Sequence, residues 1–180
     1  MNQKAIRIAI TGPESTGKSW IASQLAIQYK TLFVEEYART FINQLNRPYV
    51  EADILTIAQN QLANEDHLAT LANRMLFCDT DLTVCKIWSE VKYNRCHPWI
   101  ARKVNEHIYP LYLLMDIDLE WQEDPQREHP HMRQLLFDLY KQSLESRNVN
   151  FKVISGQGEK RLKLAMDSIK AFLSESTYCV

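Results

Sequence analysis

The chain has 180 residues, of which 46% are hydrophobic and 24% charged, and its formal net charge at pH 7 is −1. This length suffices for one substantial core, so we predict a single domain over residues 1–180. The charges nearly cancel and no basic stripe stands out, so the composition does not indicate binding to nucleic acid or to an anionic membrane. A small-molecule ligand is favoured instead.

The N-terminal segment is apolar only as far as Gly12 and is interrupted by Arg7. It is too short for a signal peptide or a membrane span, and no other apolar run reaches the length of a span. We therefore expect a cytoplasmic protein that does not act at a membrane. Its four cysteines should then stay reduced, and none forms the C-x-x-C pair typical of zinc sites.

Short apolar runs alternate with longer segments of helical periodicity, which is the pattern of a parallel sheet covered by helices. Five runs have the length of buried strands, and they fall at residues 6–11, 32–35, 75–80, 111–116 and 151–155. Apolar stripes predict helices over residues 54–72, 135–144 and 162–173. The polar segment after the fourth strand contains two prolines and predicts an exposed lid over about residues 118–133.

The first predicted strand is followed by the P-loop pattern G-x-x-x-x-G-K-[ST], at the start of a predicted helix. Its glycines let backbone N–H groups converge on phosphate oxygens, the helix N-terminus adds partial positive charge, and Lys18 reaches the outer phosphates. The hydroxyl of Ser19 is predicted to bind Mg²⁺. A chance match is the alternative, and the scarcity of glycine in this chain argues against it. The predicted ATP site comprises Gly12, Pro13, Glu14, Ser15, Thr16, Gly17, Lys18, Ser19 and Trp20.

Acidic residues follow three predicted strands, at the sheet edge where open parallel sheets bind their ligands. The third strand leads to Asp79, which we predict to bind Mg²⁺ opposite Ser19 as in a Walker B element. Asp81 would then face the substrate, and capping of the next helix is the alternative. After the second strand, Glu36 is predicted to orient or deprotonate an acceptor hydroxyl, and Arg39 to balance phosphate charge. Acidic residues are, however, also favoured in a first helical turn without any function.

Further candidates lie in the lid and among the aromatic residues. Arg127 is predicted to close over the transferring phosphoryl group and help exclude water, with ordinary solvent exposure as the alternative. Trp88 and Trp121 are candidates to stack on a planar ring, with core packing as the alternative. The turn at residues 155–161 holds two glycines, so its backbone could approach an adenine or form an ordinary helix start.

Taken together, these motifs resemble the ribosylnicotinamide kinase domain at the C-terminal end of NadR-type NAD-biosynthesis proteins and its stand-alone relatives. The matching segments are GPESTGKS, EEYAR, FCDTD and YLLMDIDLEWQEDPQR, and the resemblance spans nearly the whole chain. Glu14 within the P-loop, the E-Y-x-R and the D-T-D are together more specific than the P-loop itself. The resemblance implies a three-layer α/β P-loop NTPase fold like that of nucleoside monophosphate kinases, with five parallel strands in the order 2-3-1-4-5 and a small lid.

The implied activity is ATP-dependent phosphorylation of the 5′-hydroxyl of nicotinamide riboside to nicotinamide mononucleotide in NAD salvage, with ATP and Mg²⁺. Asp124 and Arg127 match the family's lid motif, in which Pro125 stands where the family usually has glycine. The H-x-G-H signature of the family's adenylyltransferase half is absent from the sequence, so nucleotidyl transfer is not expected.

Motifs and resemblance together define the predicted site. The catalytic candidates are Lys18, Glu36, Asp79 and Arg127. The substrate-binding candidates are Glu36, Tyr37, Arg39, Asp81, Trp88, Trp121 and Asp124. The predicted partner is a small-molecule nucleoside, and a homo-oligomer is left open. Two alternatives also stay open: a kinase for another nucleoside or small metabolite, and a nucleotide-binding regulatory ATPase without a small-molecule acceptor.

Overall fold

The computed structural model describes residues 5–175. Its five strands form one parallel sheet in the order β2-β3-β1-β4-β5. The strands are β1 (Ile6–Thr11), β2 (Leu32–Val34), β3 (Met75–Asp79), β4 (Leu111–Met115) and β5 (Phe151–Ile154). The predicted P-loop kinase fold and its strand order are confirmed. Because β1 is central, its carboxyl end is flanked by those of β3 and β4.

Helices cover both faces of the sheet. They are α1 (Lys18–Gln28), α2 (Tyr37–Gln44), α3 (Glu51–Leu68), α4 (Leu82–Tyr93), α5 (Pro98–Glu106), α6 (Arg133–Ser146) and α7 (Gly158–Glu175). One face packs against α1 and α7, and the other against α4, α6 and the end of α3. Outside this second layer, α2 and α5 pack on α3 and α4 around a third apolar cluster. This outer layer overhangs the carboxyl ends of β2 and β3, where the acidic residues lie.

Alternation along β1 distributes its side chains between the two layers. Ile8 and Ile10 belong to the cluster under α1 and α7, whereas Ala9 belongs to the cluster under α4 and α6. Burial on both faces explains why β1, β3 and β4 are near-continuous apolar runs. The central strands are thus a rigid support for the loops at their carboxyl ends.

Four strands end one residue earlier than predicted, because the chain turns as soon as it leaves the ladder. At the end of β3, for example, Thr80 has a φ of 74°, which no strand residue adopts. The helix predicted to reach residue 72 ends at Leu68, since the next residues form successive turns. Periodicity does not predict the short helices α2 and α5.

Two compositional expectations can be compared with the structure. Between residues 5 and 175, no helix is long and apolar enough to cross a membrane. Cys78, Cys85 and Cys96 are free thiols, and Cys179 lies outside the described residues.

Candidate active site

The P-loop connects the carboxyl end of β1 to α1. At Gly12, where φ is 130°, a Cβ atom would lie 2.9 Å from the carbonyl oxygen of Met115, so the loop can lie against β4 only with glycine there. Gly17 has a φ of 76° and caps α1 in the left-handed conformation. Within the loop, the buried Thr16 hydroxyl donates to the Pro13 carbonyl at 2.8 Å. The free N–H groups at the start of α1 form a phosphate-binding helix terminus.

A cavity of about 480 Å³ extends from the P-loop, beneath the lid, to α4. Of the predicted ATP-site residues, all border this cavity except Thr16, which lies buried beneath the loop. The wall opposite the P-loop includes Glu36, Arg39, Tyr49, Trp88 and Lys92. The lid contributes Gln122, Pro125, Gln126, Arg127, Glu128 and His129. The structure therefore brings the P-loop, Glu36 and Arg127 to one cavity.

On one side, the lid is fastened to the P-loop. A carboxylate oxygen of Glu14 accepts hydrogen bonds from the backbone N–H groups of Glu128 and His129 at 3.1 and 3.2 Å. The hydroxyl oxygen of Ser15 accepts from the Gln122 N–H at 2.9 Å. Variable P-loop positions thus hold the lid, which explains why Glu14 is a distinctive feature of this loop.

On the other side, the lid is fastened to the wall formed by α2 and α4. The Arg39 guanidinium donates to Asp124 at 2.7 Å, and this bond holds the pKa of Asp124 below its usual value. Farther along, Glu128 pairs with Lys92 at 3.0 Å and accepts from the Tyr49 hydroxyl at 2.9 Å. The segment predicted to be a lid is thus hydrogen-bonded to both sides of the cavity.

Asp79 and Glu36 form an acidic centre beside the P-loop. Asp79 is 1% exposed, and its Oδ1 has no hydrogen-bond partner within the described part of the chain. Burial raises the pKa of Asp79 to about 6, the charge of Glu36 adds to this rise, and Lys18 and Ser19 oppose it. Mg²⁺ in phosphoryl-transfer sites takes one or two carboxylates together with phosphate oxygens and water. A buried, under-coordinated carboxylate near a P-loop serine fits that ion.

The cations on the wall opposite the P-loop are all neutralised by carboxylates. Beyond the Arg39 and Lys92 pairs with the lid, Arg47 donates two hydrogen bonds to Asp53 at 2.7 and 2.9 Å. The Arg47 bonds hold the pKa of Asp53 below its usual value. This wall therefore presents little uncompensated positive charge to a ligand.

Cations at the P-loop end of the cavity have different partners. Lys18 donates to the carbonyl oxygens of Gly12 and Pro13 at 3.0 and 2.8 Å. Arg127 donates to the Ser15 hydroxyl at 3.4 Å and to the Gln122 carbonyl. Within residues 5–175, neither Lys18 nor Arg127 has a carboxylate within ion-pair distance. The two cavity cations without an ion-pair partner among the described residues therefore lie where the P-loop would hold phosphates.

Asp81, predicted to face the substrate, does not border the cavity. It is 2% exposed, occupies the N-cap position of α4, and accepts hydrogen bonds from Thr11 at 2.7 Å and from Thr83. Each carboxylate oxygen of Asp81 thus accepts a hydrogen bond from a threonine hydroxyl. Asp81 thus holds the N-cap position, as in the capping alternative, but its side chain makes no capping hydrogen bond to the backbone of α4.

Three other predicted substrate residues also lie away from the cavity surface. Tyr37 packs against Phe41 with ring centroids 5.9 Å apart, because the first turn of α2 directs it toward the outer apolar cluster. Trp121 has a buried ring nitrogen without a hydrogen-bond partner among the described residues. Asp124 is engaged with Arg39. Of the aromatic candidates, only Trp88 reaches the cavity.

The sequence pattern missed several residues that organise the site. Tyr49 lies in an irregular loop without a recognisable motif, and Gln61 lies on a helix face that periodicity assigns only to packing. Arg161 is 1% exposed and donates to the carbonyl oxygens of Thr16 at 3.1 Å and Asp116 at 2.8 Å. It thereby links the turn at residues 155–161 to the P-loop. In the sequence, Arg161 is visible only as a charged residue beside the apolar stripe of α7, which does not predict this role.

Comparisons with known proteins agree with this fold. A sequence model of the AAA domain matches residues 7–161. Two curated relatives, from Salmonella typhimurium and Escherichia coli, are both named trifunctional NAD biosynthesis/regulator protein NadR. The alignments are 25% identical over 152 and 156 residues, and each covers 80% of this chain and 37% of the relative. The chain thus spans little more than a third of the length of these relatives.

Solved structures share the fold at lower identity. NadR protein in complex with NR has a TM-score of 0.82 at 18% identity, covering 94% of this chain and 51% of the other. NadR in complex with NAD and AMP-PNP has a TM-score of 0.78 at 18% identity, covering 94% and 50%. A thymidylate kinase from Ehrlichia chaffeensis has a TM-score of 0.68 at 12% identity, covering 94% and 99%. The resemblance to NadR predicted from the motifs is confirmed.

Proposed function

The chain belongs to the AAA domain family, and on that premise we propose that it is an ATP-dependent kinase that converts nicotinamide riboside to nicotinamide mononucleotide. The main support for the proposal is that the cations at the two ends of the cavity differ in their ion pairing. Lys18 and Arg127, which have no carboxylate partner within the described residues, lie at the P-loop end. At the opposite wall the cations are paired with carboxylates. This distribution suits triphosphate at one end and an acceptor without phosphate at the other.

The acceptor wall favours a nucleoside over a nucleoside monophosphate. A phosphorylated acceptor needs cations that are not already neutralised, because desolvating its charge must be compensated. Beside the paired cations, Trp88 and Tyr49 pack edge to face with ring centroids 4.8 Å apart and offer apolar surface to a planar base. Among nucleosides, nicotinamide riboside is supported by the NadR relatives and by the NadR structure that holds NR.

In the proposed reaction, the 5′-hydroxyl oxygen attacks the γ-phosphorus as the bond to the oxygen bridging the β- and γ-phosphorus atoms breaks. ADP leaves, and the hydroxyl proton passes to the Glu36 carboxylate. Lys18 and Arg127 stabilise the charge on the transferring group, and the fastened lid excludes water. Ser19 and Asp79 would hold Mg²⁺, whose charge stabilises the phosphates.

Replacing Glu36 with glutamine is expected to lower kcat by roughly a hundredfold, the low end of the range for a positioned acid–base group. The dissociation constant of AMP-PNP should change little, because the P-loop is untouched. The neighbouring substitution Glu35→Gln is the matched control, since Glu35 is exposed and does not border the cavity. Equal turnover of the two variants in steady-state assays would remove Glu36 from the mechanism.

Calorimetry separates the proposed kinase from a nucleotide-dependent regulatory module. Protein saturated with Mg²⁺ and AMP-PNP is titrated with nicotinamide riboside, and the same titration is repeated with nicotinamide mononucleotide. The proposal predicts that the riboside binds and that the mononucleotide binds more weakly. Binding of AMP-PNP without binding of any nucleoside would contradict the proposal and favour the regulatory alternative.

A further inference from the structure

Gln61, in the middle of α3, joins the two acidic elements of the site. Its side chain is buried, with 1% exposed. Its Oε1 accepts a hydrogen bond from the backbone N–H of Tyr37 at 2.8 Å. Its Nε2 donates to the backbone carbonyl oxygens of Asp79 and Thr80, each at 3.3 Å. One side chain therefore links the first residue of α2 to the end of β3.

At α2, Gln61 supplies an acceptor that the helix itself cannot provide. Tyr37 is the first residue of α2, so its N–H has no partner within the helix. Glu36, the N-cap residue, makes no side-chain capping hydrogen bond, and its carboxylate borders the cavity. The Gln61 amide thus fixes the backbone immediately after Glu36 without occupying the Glu36 carboxylate.

At β3, Gln61 binds a strained turn. Thr80 is β-branched and has a φ of 74°, a conformation that such residues rarely adopt. The turn directs the carbonyl groups of Asp79 and Thr80 away from the ladder toward α3, where the Gln61 amide satisfies both. The backbone that carries the Asp79 carboxylate is therefore held by the same side chain that holds α2.

We propose that Gln61 is a positioning residue that fixes the Glu36 carboxylate relative to the Asp79 carboxylate, and with it the acceptor hydroxyl relative to the γ-phosphoryl group. The roles of these carboxylates rest on the proposed function. Loss of the bridge would release the start of α2 from the end of β3, and the small cavity between them, about 20 Å³ and lined by Glu36, Gln61, Thr80 and Trp88 among others, has room for about one water. In-line transfer is sensitive to such shifts, because misplacement by about 1 Å can cost up to about a hundredfold in rate.

Two variants test the bridge kinetically. Gln61→Met keeps the length of the side chain and removes all three hydrogen bonds, and Gln61→Glu keeps the acceptor but sets an oxygen against the two carbonyl groups. We expect kcat to fall about tenfold or more in both, while the dissociation constant of AMP-PNP changes less than about twofold. Gln59→Met is the matched control, because Gln59 is an exposed residue of the same helix.

A purely structural role for Gln61 makes a different prediction. The melting temperature would fall in Gln61→Met, but kcat measured well below that temperature would stay at the wild-type value. That result would overturn the proposal.

Amide hydrogen exchange tests the bridge without any substrate. The Tyr37 N–H should be protected in the wild-type chain and should exchange about tenfold or more faster in Gln61→Met, because its only acceptor among the described residues is removed. An unprotected Tyr37 N–H in the wild type would refute the bridge even in an active kinase. Absence of acceptor-dependent turnover in the wild type would instead refute the proposed function, while the exchange result would still decide the bridge.

Discussion

Replacing Lys18 with methionine is expected to lower acceptor-dependent phosphoryl transfer by about 10³-fold, in the range measured for loss of a group that stabilises transition-state charge. Lys18 donates to the carbonyl oxygens of Gly12 and Pro13 within the P-loop, so its ammonium group lies where the loop would hold the phosphates. The measurement is the initial rate of ADP formation at saturating nicotinamide riboside and Mg·ATP.

The fold should survive this substitution. Lys18 donates only to carbonyl oxygens of its own loop, so its loss is expected to leave the melting temperature nearly unchanged. Lys163→Met, on the exposed side of α7, is the matched control and should keep wild-type activity. A Lys18→Met variant that is folded and turns over at more than about a tenth of the wild-type rate would be incompatible with the proposed phosphate site.

Asp79→Asn is expected to separate activity from stability. Loss of a buried carboxylate that would hold Mg²⁺ should lower kcat/KM by about 10³-fold. Without nucleotide, however, the variant should be more stable above pH 6. Burial and Glu36 raise the folded pKa of Asp79 from 3.8 to about 6, so its ionised form is disfavoured in the folded state. That shift corresponds to about 2 to 3 kcal/mol of unfolding free energy.

The pH dependence has a defined sign. Between pH 3.8 and about 6 the folded state binds more protons at Asp79 than the unfolded state does, so this residue makes unfolding free energy rise as pH falls through that window. Asp79→Asn should lack this contribution, which denaturant titrations at pH 5 and pH 7 would measure. Asp138→Asn, exposed on α6, is the control. A loss of stability in Asp79→Asn at pH 7 would contradict the raised pKa of Asp79 in the folded state.

The sheet could be predicted from sequence because both of its faces are covered. Buried strands must be continuous apolar runs, and the Gly12 turn after the first of them needs backbone close to β4. The exact strand ends and the short helices depend instead on local turns, which the apolar pattern does not predict. The left-handed Thr80 has no sequence signal, since threonine rarely adopts that conformation. The cap of α2 depends on Gln61, which lies 24 residues further along the chain.

The candidate site was predictable where its chemistry needs a fixed pattern. All the P-loop residues except Thr16 border one cavity with Glu36, and Asp79 is buried close to Glu36 and Lys18, because parallel strands bring their carboxyl ends together. Residues whose roles depend on tertiary partners could not be predicted. Asp81, predicted to face the substrate, instead accepts a hydrogen bond from Thr11. Trp121, predicted as a candidate to stack on a planar ring, has a buried ring nitrogen.

The most direct test of the account measures ADP and phosphorylated product together. The full chain is incubated with Mg·ATP and, in turn, nicotinamide riboside, a panel of other nucleosides, and the corresponding monophosphates. With nicotinamide riboside, one nicotinamide mononucleotide is expected to form for each ADP released, and the monophosphates are expected not to turn over. ADP release that is the same with and without every acceptor, or turnover of a monophosphate in preference to its nucleoside, would contradict the proposed function.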